Sequence, residues 1–280
     1  MKFLLVKSLI GFGDRLESLM MCVDFAQKYK LKLLIDWSDP IWANSFYSYF
    51  KLDIPTFTLS DITKDMTVYP TFWKGCLDKQ LTDEIIKSDP KLEIGQLITA
   101  YSEDVIVSIC VGRRTLYTDH RFFFNIFSVI DPRVITEVKQ RQQKYNLKDK
   151  WCIHLRGTDR FNTLEKKTRR FQELFIKLVH RGLLSNGGGC VVISDDQEFV
   201  KLWTSRDKTS PILSTIIDSK GQGLHYATSE TLGISKDQQN VNLLIDFLTM
   251  ASCKQIFSTT LDSRFARMAQ YLKPFINTIM

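Results

Sequence analysis

The sequence predicts an α/β fold with two parallel-sheet domains, and three observations support this. Short apolar runs alternate with amphipathic stretches along much of the chain, which is the pattern of β-α-β units. The alternation stops at the polar stretch 146–150 and then restarts. The length of 280 residues fits two domains, since domains commonly contain about 100–150 residues. We therefore expect Rossmann-like domains over residues 1–147 and 148–280.

The N-terminal half predicts a nucleotide-binding type of unit. Residues 1–7 form a predicted strand, the glycine-bearing turn 8–15 follows it, and a helix is expected over 16–29. A second strand is predicted at 31–37, parallel to the first because a helical crossover joins them. Prolines interrupt the segment 38–100, which we interpret as short helices and loops that shape an acceptor cleft.

The same alternation predicts the remaining elements. Asp131 and Pro132 form a helix-start signal, an N-cap followed by a first-turn proline. The predicted strands are 105–110, 151–155, 190–194 and 255–258, and the predicted helices are 132–145, 168–184, 239–251 and 263–272. We expect the strands after residue 150 to form a second parallel sheet.

Composition indicates a globular chain that attracts anions. A hydrophobic content of 44% is enough to build two cores. The formal charge of +7 makes nucleic acid one partner to consider. However, the basic residues are scattered, and the densest group opens a predicted helix, where a solvated face is the ordinary interpretation. This group is Lys166, Lys167, Arg169 and Arg170. We expect a small anionic ligand and no nucleic acid.

The cysteines and the first apolar run bear on the compartment. Six cysteines include no Cys-x-x-Cys pair, and Cys110, Cys152 and Cys190 lie in apolar runs, as reduced core thiols do. The first run is too short to span a membrane and no small-residue cleavage site follows it. We expect a cytoplasmic protein without a signal peptide or transmembrane anchor, which suits a bacterial or viral source.

The predicted strand 151–155 ends in a cluster of ionisable and flexible residues. Arg156 offers a planar fork of donors suited to phosphate, and Gly157 lets another group approach the backbone. His154 and Asp159 can exchange hydrogen bonds with a ligand. Because ligands of α/β proteins bind at the carboxyl ends of strands, we expect an anion site here. A surface ion pair between Arg156 and Asp159 is the structural alternative.

Two further acidic features allow more than one interpretation. Asp195 and Asp196 follow a predicted strand, where paired carboxylates can bind a divalent cation. We favour a helix N-cap, in which one carboxylate accepts backbone donors. Asp246 lies on an otherwise apolar helix and needs a partner, because an unpaired buried carboxylate is costly. That partner is either a neighbouring helix or a ligand.

Three collinear blocks of sequence carry a family likeness. They are Gly11–Leu19 with 33–37 and 44–46, the His-x-Arg-x-x-Asp strand end in Ile153–Arg160, and a block from Gly223 through 244–246 to Ser263–Ala269. Together they resemble the nucleotide-sugar-dependent fucosyltransferases typified by the rhizobial nodulation-factor α1,6-fucosyltransferase, which are related to α1,6- and protein O-fucosyltransferases. The resemblance implies a GT-B architecture, with two Rossmann-like domains facing across a cleft. It also implies that the C-terminal domain holds most of the nucleotide and that no metal is required.

The resemblance assigns roles to individual residues. The family's motif arginine contacts the β-phosphate and corresponds to Arg156. Its motif histidine and helix aspartate contact the base and correspond to His154 and Asp246. Ser263 matches a serine that contacts the diphosphate. The whole predicted donor site is Gly11, Gly13, Arg15, His154, Arg156, Asp246 and Ser263.

The chain departs from the family at two positions. Gly157 stands where several relatives have a second basic residue. Asp262 precedes Ser263, and a carboxylate beside a diphosphate is unfavourable unless it faces away. A general base must also take the acceptor proton, and the candidates are Asp14, Asp36, Asp159 and Glu165. We rank Asp159 slightly first, so Arg156 and Asp159 are the predicted catalytic residues, with a helix cap as the alternative role for Asp159.

The resemblance implies an inverting, metal-independent glycosyltransferase. It moves a sugar, L-fucose from GDP-fucose in the first instance, to a glycan hydroxyl, and the nucleotide sugar is a substrate, so no cofactor is expected. One alternative is the same fold with another donor, such as UDP-xylose or a UDP-hexose, because GT-B scaffolds change specificity through their loops. A non-catalytic nucleotide- or glycan-binding protein is the alternative from another class.

Overall fold

The structure is a computed structural model that describes residues 2–88, 101–110, 120–157, 160–184, 189–217, 223 and 226–280. The chain forms two compact units, one of Met1–Ile130 with Thr278–Met280 and one of Asp131–Asn277. The division falls between Ile130 and Asp131, and therefore before the helix that the sequence places at the end of the first domain. No helix among the described residues has the length and apolar character needed to cross a membrane.

The first unit is built on a parallel sheet. Its strands are β1 Phe3–Ser8, β2 Lys32–Asp36, β3 Phe50–Leu52, β4 Val68–Tyr69, β5 Val105–Cys110 and β6 Phe127–Val129, and its helices are α1 Phe12–Lys28, α2 Asp83–Ser88 and α3 His120–Ile126. The sheet has the order β2-β1-β5-β4, and all three pairings are parallel. β3 and β6 form a separate antiparallel pair. β1 is buried along its whole length, as expected for an inner strand of a sheet covered on both faces.

The second unit contains the second parallel sheet that the sequence predicts. Its strands are β7 Trp151–Leu155, β8 Cys190–Ser194 and β9 Gln255–Ser258; its helices are α4 Pro132–Tyr145, α5 Leu164–His180, α6 Gln197–Thr204, α7 Ser229–Leu232, α8 Lys236–Ala251 and α9 Arg264–Leu272. The last helix, α10 Ile276–Ile279, begins in this unit and ends in the first. The strand order is β8-β7-β9, so β7 is the middle strand. α5 and α6 pack on each other, as do α4 and α8.

The core of the second unit places β7 firmly. Ile153 and Leu155 of β7 pack with Phe171 of α5 and with Phe199 and Trp203 of α6 in one buried cluster. Burial of each large apolar side chain contributes about 1.5–3 kcal/mol. The end of β7 is therefore a fixed point from which the next residues project.

Most predicted strand bounds are confirmed. The strands at 105–110, 151–155, 190–194 and 255–258 and the helix at 132–145 occur with those limits. The predicted start of the helix at 168 is wrong, because Thr163 caps α5 by accepting a hydrogen bond from the backbone N–H of Lys166 at 3.3 Å. Cys152 and Cys190 are buried free thiols, as predicted.

Candidate functional site

The carboxyl ends of the strands in the second unit gather polar residues at one edge of the sheet. β8 ends at Ser194, β7 ends at Leu155 and β9 ends at Ser258. Because the three strands are parallel, the residues that follow them meet at the same edge. This is the edge at which α/β sheets bind ligands.

Arg156 lies directly beyond the middle strand and is held by both neighbours. Its backbone N–H donates to Oγ1 of Thr259 at 2.9 Å, and that hydroxyl donates to the carbonyl of Arg156 at 3.1 Å. On the other side, Nη1 of Arg156 lies 3.7 Å from Oδ2 of Asp195. The Arg156 side chain is 15% exposed. The guanidinium is therefore supported by the fold and still accessible to a ligand.

Gly157 is the position where a side chain does not fit. Its N–H donates to Oδ1 of Asp195 at 2.9 Å. A Cβ atom at Gly157 would lie 2.6 Å from Oδ2 of Asp196 and 2.6 Å from Cδ2 of Phe199. The groups that approach this backbone closely are these protein side chains.

Asp196 is the N-cap of α6, as the sequence predicts for one of the two carboxylates. Its Oδ1 accepts hydrogen bonds from the backbone N–H groups of Glu198 at 3.0 Å and Phe199 at 3.1 Å. Its Oδ2 accepts from Nζ of Lys167 at 2.5 Å. Within the part of the chain that the structure describes, no three His, Cys, Asp or Glu residues are grouped to hold a metal ion.

His154 is buried in β7, and its imidazole ring is fixed from β9. Its Nδ1 lies 3.0 Å from Oγ of Ser258, and the direction of this hydrogen bond depends on the ring tautomer. The ring also packs beside Phe265 of α9, with centroids 6.0 Å apart. The predicted base-contact residue is thus rigidly placed next to Arg156 on the same strand end.

Asp246 has the protein partners that its burial demands. Both carboxylate oxygens accept from the backbone N–H of Thr215 at 3.1 Å, and Nη1 of Arg141 on α4 lies 3.4 Å away. The structure therefore shows the structural alternative that the sequence left open, an ion pair to a neighbouring helix. Burial is the largest influence on this carboxyl and raises its pKa to about 7, although Thr215 and Arg141 act in the opposite direction. The base contact of Asp246 stays a prediction.

Ser263 caps α9 at the same sheet edge. Its hydroxyl accepts from the backbone N–H of Ala266 at 3.3 Å, and the residue is buried. The preceding Asp262 has a side chain that is 59% exposed, with Oδ2 3.8 Å from Nη1 of Arg160. Asp262 therefore points into solvent. A diphosphate contact at Ser263 requires this orientation, because a carboxylate that faced the diphosphate would repel it.

The predicted N-terminal donor residues lie in the first unit, where Arg15 has a structural partner. Its Nη1 and Nη2 donate to the two carboxylate oxygens of Asp39 at 2.8 and 2.6 Å, and its Nε donates to the carbonyl of Ile10 at 2.7 Å. Gly11 is the N-cap of α1 and Gly13 is buried in the first turn of that helix. The donor contacts of Gly11, Gly13 and Arg15 stay predictions, and Arg15 has to leave Asp39 to make one.

The four candidate general bases lie in different environments. Asp159 lies outside the described residues. Burial alone would raise the pKa of Asp36, but the charge and hydrogen bond of Lys7 hold it below its ordinary value, which makes Asp36 a weaker proton acceptor. Asp14 is half-buried in α1, and Glu165 is exposed in the first turn of α5. The base is therefore still unassigned.

The sequence interpretation missed two residues that support the site, Ser258 and Thr259, which hold His154 and Arg156. It considered Asp195, which holds Gly157, only as a cation ligand or a helix cap. The only sequence signal for Ser258 and Thr259 is a run of hydroxyl residues, 258–260, at the end of a predicted strand. Such a run is uninformative until the order of the strands in the sheet is known.

Comparisons with known proteins identify the fold. No family model matches the sequence, and no curated protein matches it either. Among solved structures, the fucosyltransferase NodZ from Bradyrhizobium superposes with a TM-score of 0.69 at 16% identity, covering 96% of this chain and 92% of NodZ. The chain has the fold of NodZ. The predicted α/β fold of the GT-B type is therefore confirmed.

Other structures with this fold are also fucosyltransferases. Arabidopsis thaliana FUT1, as its R284K mutant in complex with GDP, gives a TM-score of 0.56 at 12% identity, covering 97% of this chain and 68% of FUT1. POFUT1 in complex with GDP gives 0.50 at 10% identity, covering 96% and 94%. NodZ itself, an alpha-1,6-fucosyltransferase, has been co-crystallised with GDP and soaked with GDP-fucose. The likeness to NodZ extends over both units of the chain.

Proposed function

We propose that this protein is a glycosyltransferase that moves L-fucose from GDP-fucose to a glycan hydroxyl, with inversion and without a metal ion. The observation that carries the proposal is the placement of Arg156 beyond the middle strand of the second unit, accessible and supported by both neighbouring strands. The NodZ fold and the GDP and GDP-fucose bound by proteins that share it support the choice of donor.

The reaction needs stabilisation of a leaving diphosphate. The acceptor oxygen forms a bond to the anomeric carbon while the bond from that carbon to the β-phosphate oxygen breaks, and GDP leaves with the bonding electron pair. The acceptor proton passes to a general base. Arg156 donates charge-assisted hydrogen bonds to the β-phosphate, where negative charge develops. A guanidinium in this position performs the task that a divalent cation performs in metal-dependent enzymes.

The other proposed donor contacts are those that the family resemblance assigns. His154 and Asp246 contact the guanine base, and Ser263 donates its hydroxyl to the diphosphate. The firm placement of the His154 ring suits a base contact, because a fixed donor loses little entropy on binding. Ser263 lies at the N-terminal end of α9, where the helix dipole favours an anion.

Arginine substitutions test the proposal directly. Arg156→Ala should lower kcat for fucosyl transfer by roughly 100-fold or more, the usual cost of removing a donor to developing negative charge. Arg169→Ala is the matched control, because that side chain is 82% exposed on α5 and pairs with Glu173. The control should retain the activity of the unsubstituted protein. Normal transfer by the Arg156→Ala variant would refute the role of this residue.

The donor itself is tested by nucleotide binding and product analysis. GDP should raise the melting temperature of the protein and UDP should not, and mass spectrometry should detect a fucosylated product when GDP-fucose and simple glycosides are supplied. Selective stabilisation by UDP would replace the fucose assignment with a UDP-sugar donor. Binding of GDP without transfer or hydrolysis of any sugar nucleotide would identify a non-catalytic binding protein.

A further inference from the structure

Ser258, the last residue of β9, and Thr259, which follows it, hold two of the proposed donor-contact residues, His154 of β7 and Arg156 directly beyond β7. In the parallel pairing of β7 and β9, His154 lies opposite Ser258, and their side chains share a hydrogen bond of 3.0 Å. Thr259, the next residue, is bonded to the backbone of Arg156 on both sides of its Cα. His154 and Arg156, the residues proposed to bind the base and the β-phosphate, are therefore both held in place by residues at the end of β9.

The contact of Thr259 with Arg156 restricts the backbone in a specific way. One hydroxyl accepts from the N–H of Arg156 at 2.9 Å and donates to the carbonyl of the same residue at 3.1 Å. The backbone N–H of Thr259 also donates to the carbonyl of His154 at 3.0 Å. Because the N–H and the C=O of Arg156 are tied to one oxygen atom, the direction of its Cα–Cβ bond is set by Thr259.

A third contact extends this support beyond Arg156. Asp195, which follows β8, accepts from the N–H of Gly157 at 2.9 Å. The segment after β7 is thus bonded to the residues that follow both neighbouring strands. Of these contacts, that of Thr259 acts on Arg156 itself, and it is made by a hydroxyl that can be removed without changing the size of the side chain.

The geometry points to Thr259 as a positioning residue that sets where Arg156 presents its guanidinium, with Ser258 in the same role for the ring of His154. This inference rests on the proposed function, because it concerns the same donor site. Thr259 does not itself contact the donor in this scheme. Its effect on catalysis passes through Arg156, in the way that outer residues orient the ligands of a metal or substrate.

Three substitutions separate the hydroxyl from the shape of the side chain. Thr259→Val keeps the shape and removes both hydrogen bonds, whereas Thr259→Ser keeps the hydroxyl. The valine variant should lose roughly 10- to 100-fold in kcat for fucosyl transfer, and the serine variant should stay within about threefold of the unsubstituted protein. Thr204→Val is the matched control, since its hydroxyl donates only along α6. Equal kcat for the valine and serine variants would overturn the inference.

A double-mutant comparison shows whether Thr259 acts through Arg156. The affinity for GDP is measured calorimetrically for Thr259→Val, Arg156→Ala and the double variant. If Thr259 positions Arg156, the valine substitution weakens GDP binding in the unsubstituted protein and changes it by less than about twofold once Arg156 is alanine. The same fold loss in both backgrounds would show a general structural role and refute the inference.

The outcomes also distinguish this inference from the proposed function. An unsubstituted protein that neither binds GDP nor transfers fucose refutes the proposed function. An active unsubstituted protein with an equally active Thr259→Val variant refutes only the positioning role. If the valine variant does not fold, Thr259→Ala replaces it and is compared with Thr259→Ser, because alanine and serine differ only by the hydroxyl group.

Discussion

Gly157 gives the most direct test of how tightly the site is built. In a Gly157→Ala variant the new methyl carbon would lie 2.6 Å from Oδ2 and 2.7 Å from Cγ of Asp196, and 2.6 Å from Cδ2 of Phe199. Real Cβ atoms do not approach other heavy atoms so closely, so something must move. Asp196 cannot swing away without losing its cap of α6 and its bond to Lys167.

The cost follows from these contacts. Phe199 is fully buried in the core, and forcing an extra methyl group into a packed core costs about 1–3 kcal/mol. Loss of the Asp196 cap adds about 1 kcal/mol. We therefore expect the free energy of unfolding to fall by about 2–4 kcal/mol. Alternatively, the backbone at 156–157 moves to avoid the clash. The hydrogen bonds to Thr259 and Asp195 then lengthen, and the affinity for GDP should fall.

The assay compares two alanine variants by thermal unfolding and GDP titration. Gly189→Ala is the control, because a Cβ there meets nothing closer than 3.5 Å, the carbonyl oxygen of Leu183. The control should be neutral or slightly more stable, since alanine restricts the unfolded chain. Gly157→Ala should melt lower and bind GDP more weakly. If both variants match the unsubstituted protein, the packing assigned to Gly157 is wrong.

Three further predictions concern buried charges and a cap. In the folded protein the pKa of Asp246 is raised to about 7, against an ordinary value of 3.8. Because the folded state then binds a proton that the unfolded state has lost, the free energy of unfolding should fall as the pH rises from about 4 to 7. Thermal unfolding of Asp246→Asn should lack that part of the decline. Asp39→Ala should destabilise the first unit by about 3–5 kcal/mol, because it leaves the buried Arg15 without its carboxylate. A loss of less than about 1 kcal/mol in the free energy of unfolding, measured by denaturant titration, would contradict this. Thr163→Ala should lower the free energy of unfolding by about 1 kcal/mol, because it removes the N-cap of α5. Thr163→Ser keeps the capping hydroxyl and should leave the free energy of unfolding unchanged in the same titration.

The strands were predictable because each is a short apolar run with polar limits. Cys190–Ser194 and Trp151–Leu155 are buried almost throughout, so no period-two pattern was needed to find them. Helix starts were harder, because the capping residue decides them. The N-cap of α5 is a threonine in a polar stretch, and nothing in the apolar pattern distinguishes it from the loop before it.

The support of the site was not predictable for a different reason. The sequence predicts one strand that ends at Leu155, between His154 and Arg156, and another that ends at Ser258, about a hundred residues later along the chain. Only the order β8-β7-β9 makes these strand ends neighbours. Strand order depends on packing across the whole unit, which hydropathy patterns do not record. The same limit applies to Asp246. The sequence shows that this carboxylate needs a partner, but it does not identify the partner as Arg141.

The predicted donor site contains two arginines that lie near the ends of strands, Arg15 and Arg156, and their surroundings in the structure differ. Arg15 has no exposed side-chain surface and donates to both oxygens of Asp39, so a donor phosphate has to replace an intact buried ion pair to reach it. The Arg156 side chain is 15% exposed, and its Nη1 lies 3.7 Å from Oδ2 of Asp195, longer than a charge-assisted hydrogen bond of about 2.7–2.9 Å. An incoming phosphate therefore meets a smaller cost at Arg156. Substitution of Arg15 should accordingly be detected first as lost stability, and substitution of Arg156 as lost affinity for GDP.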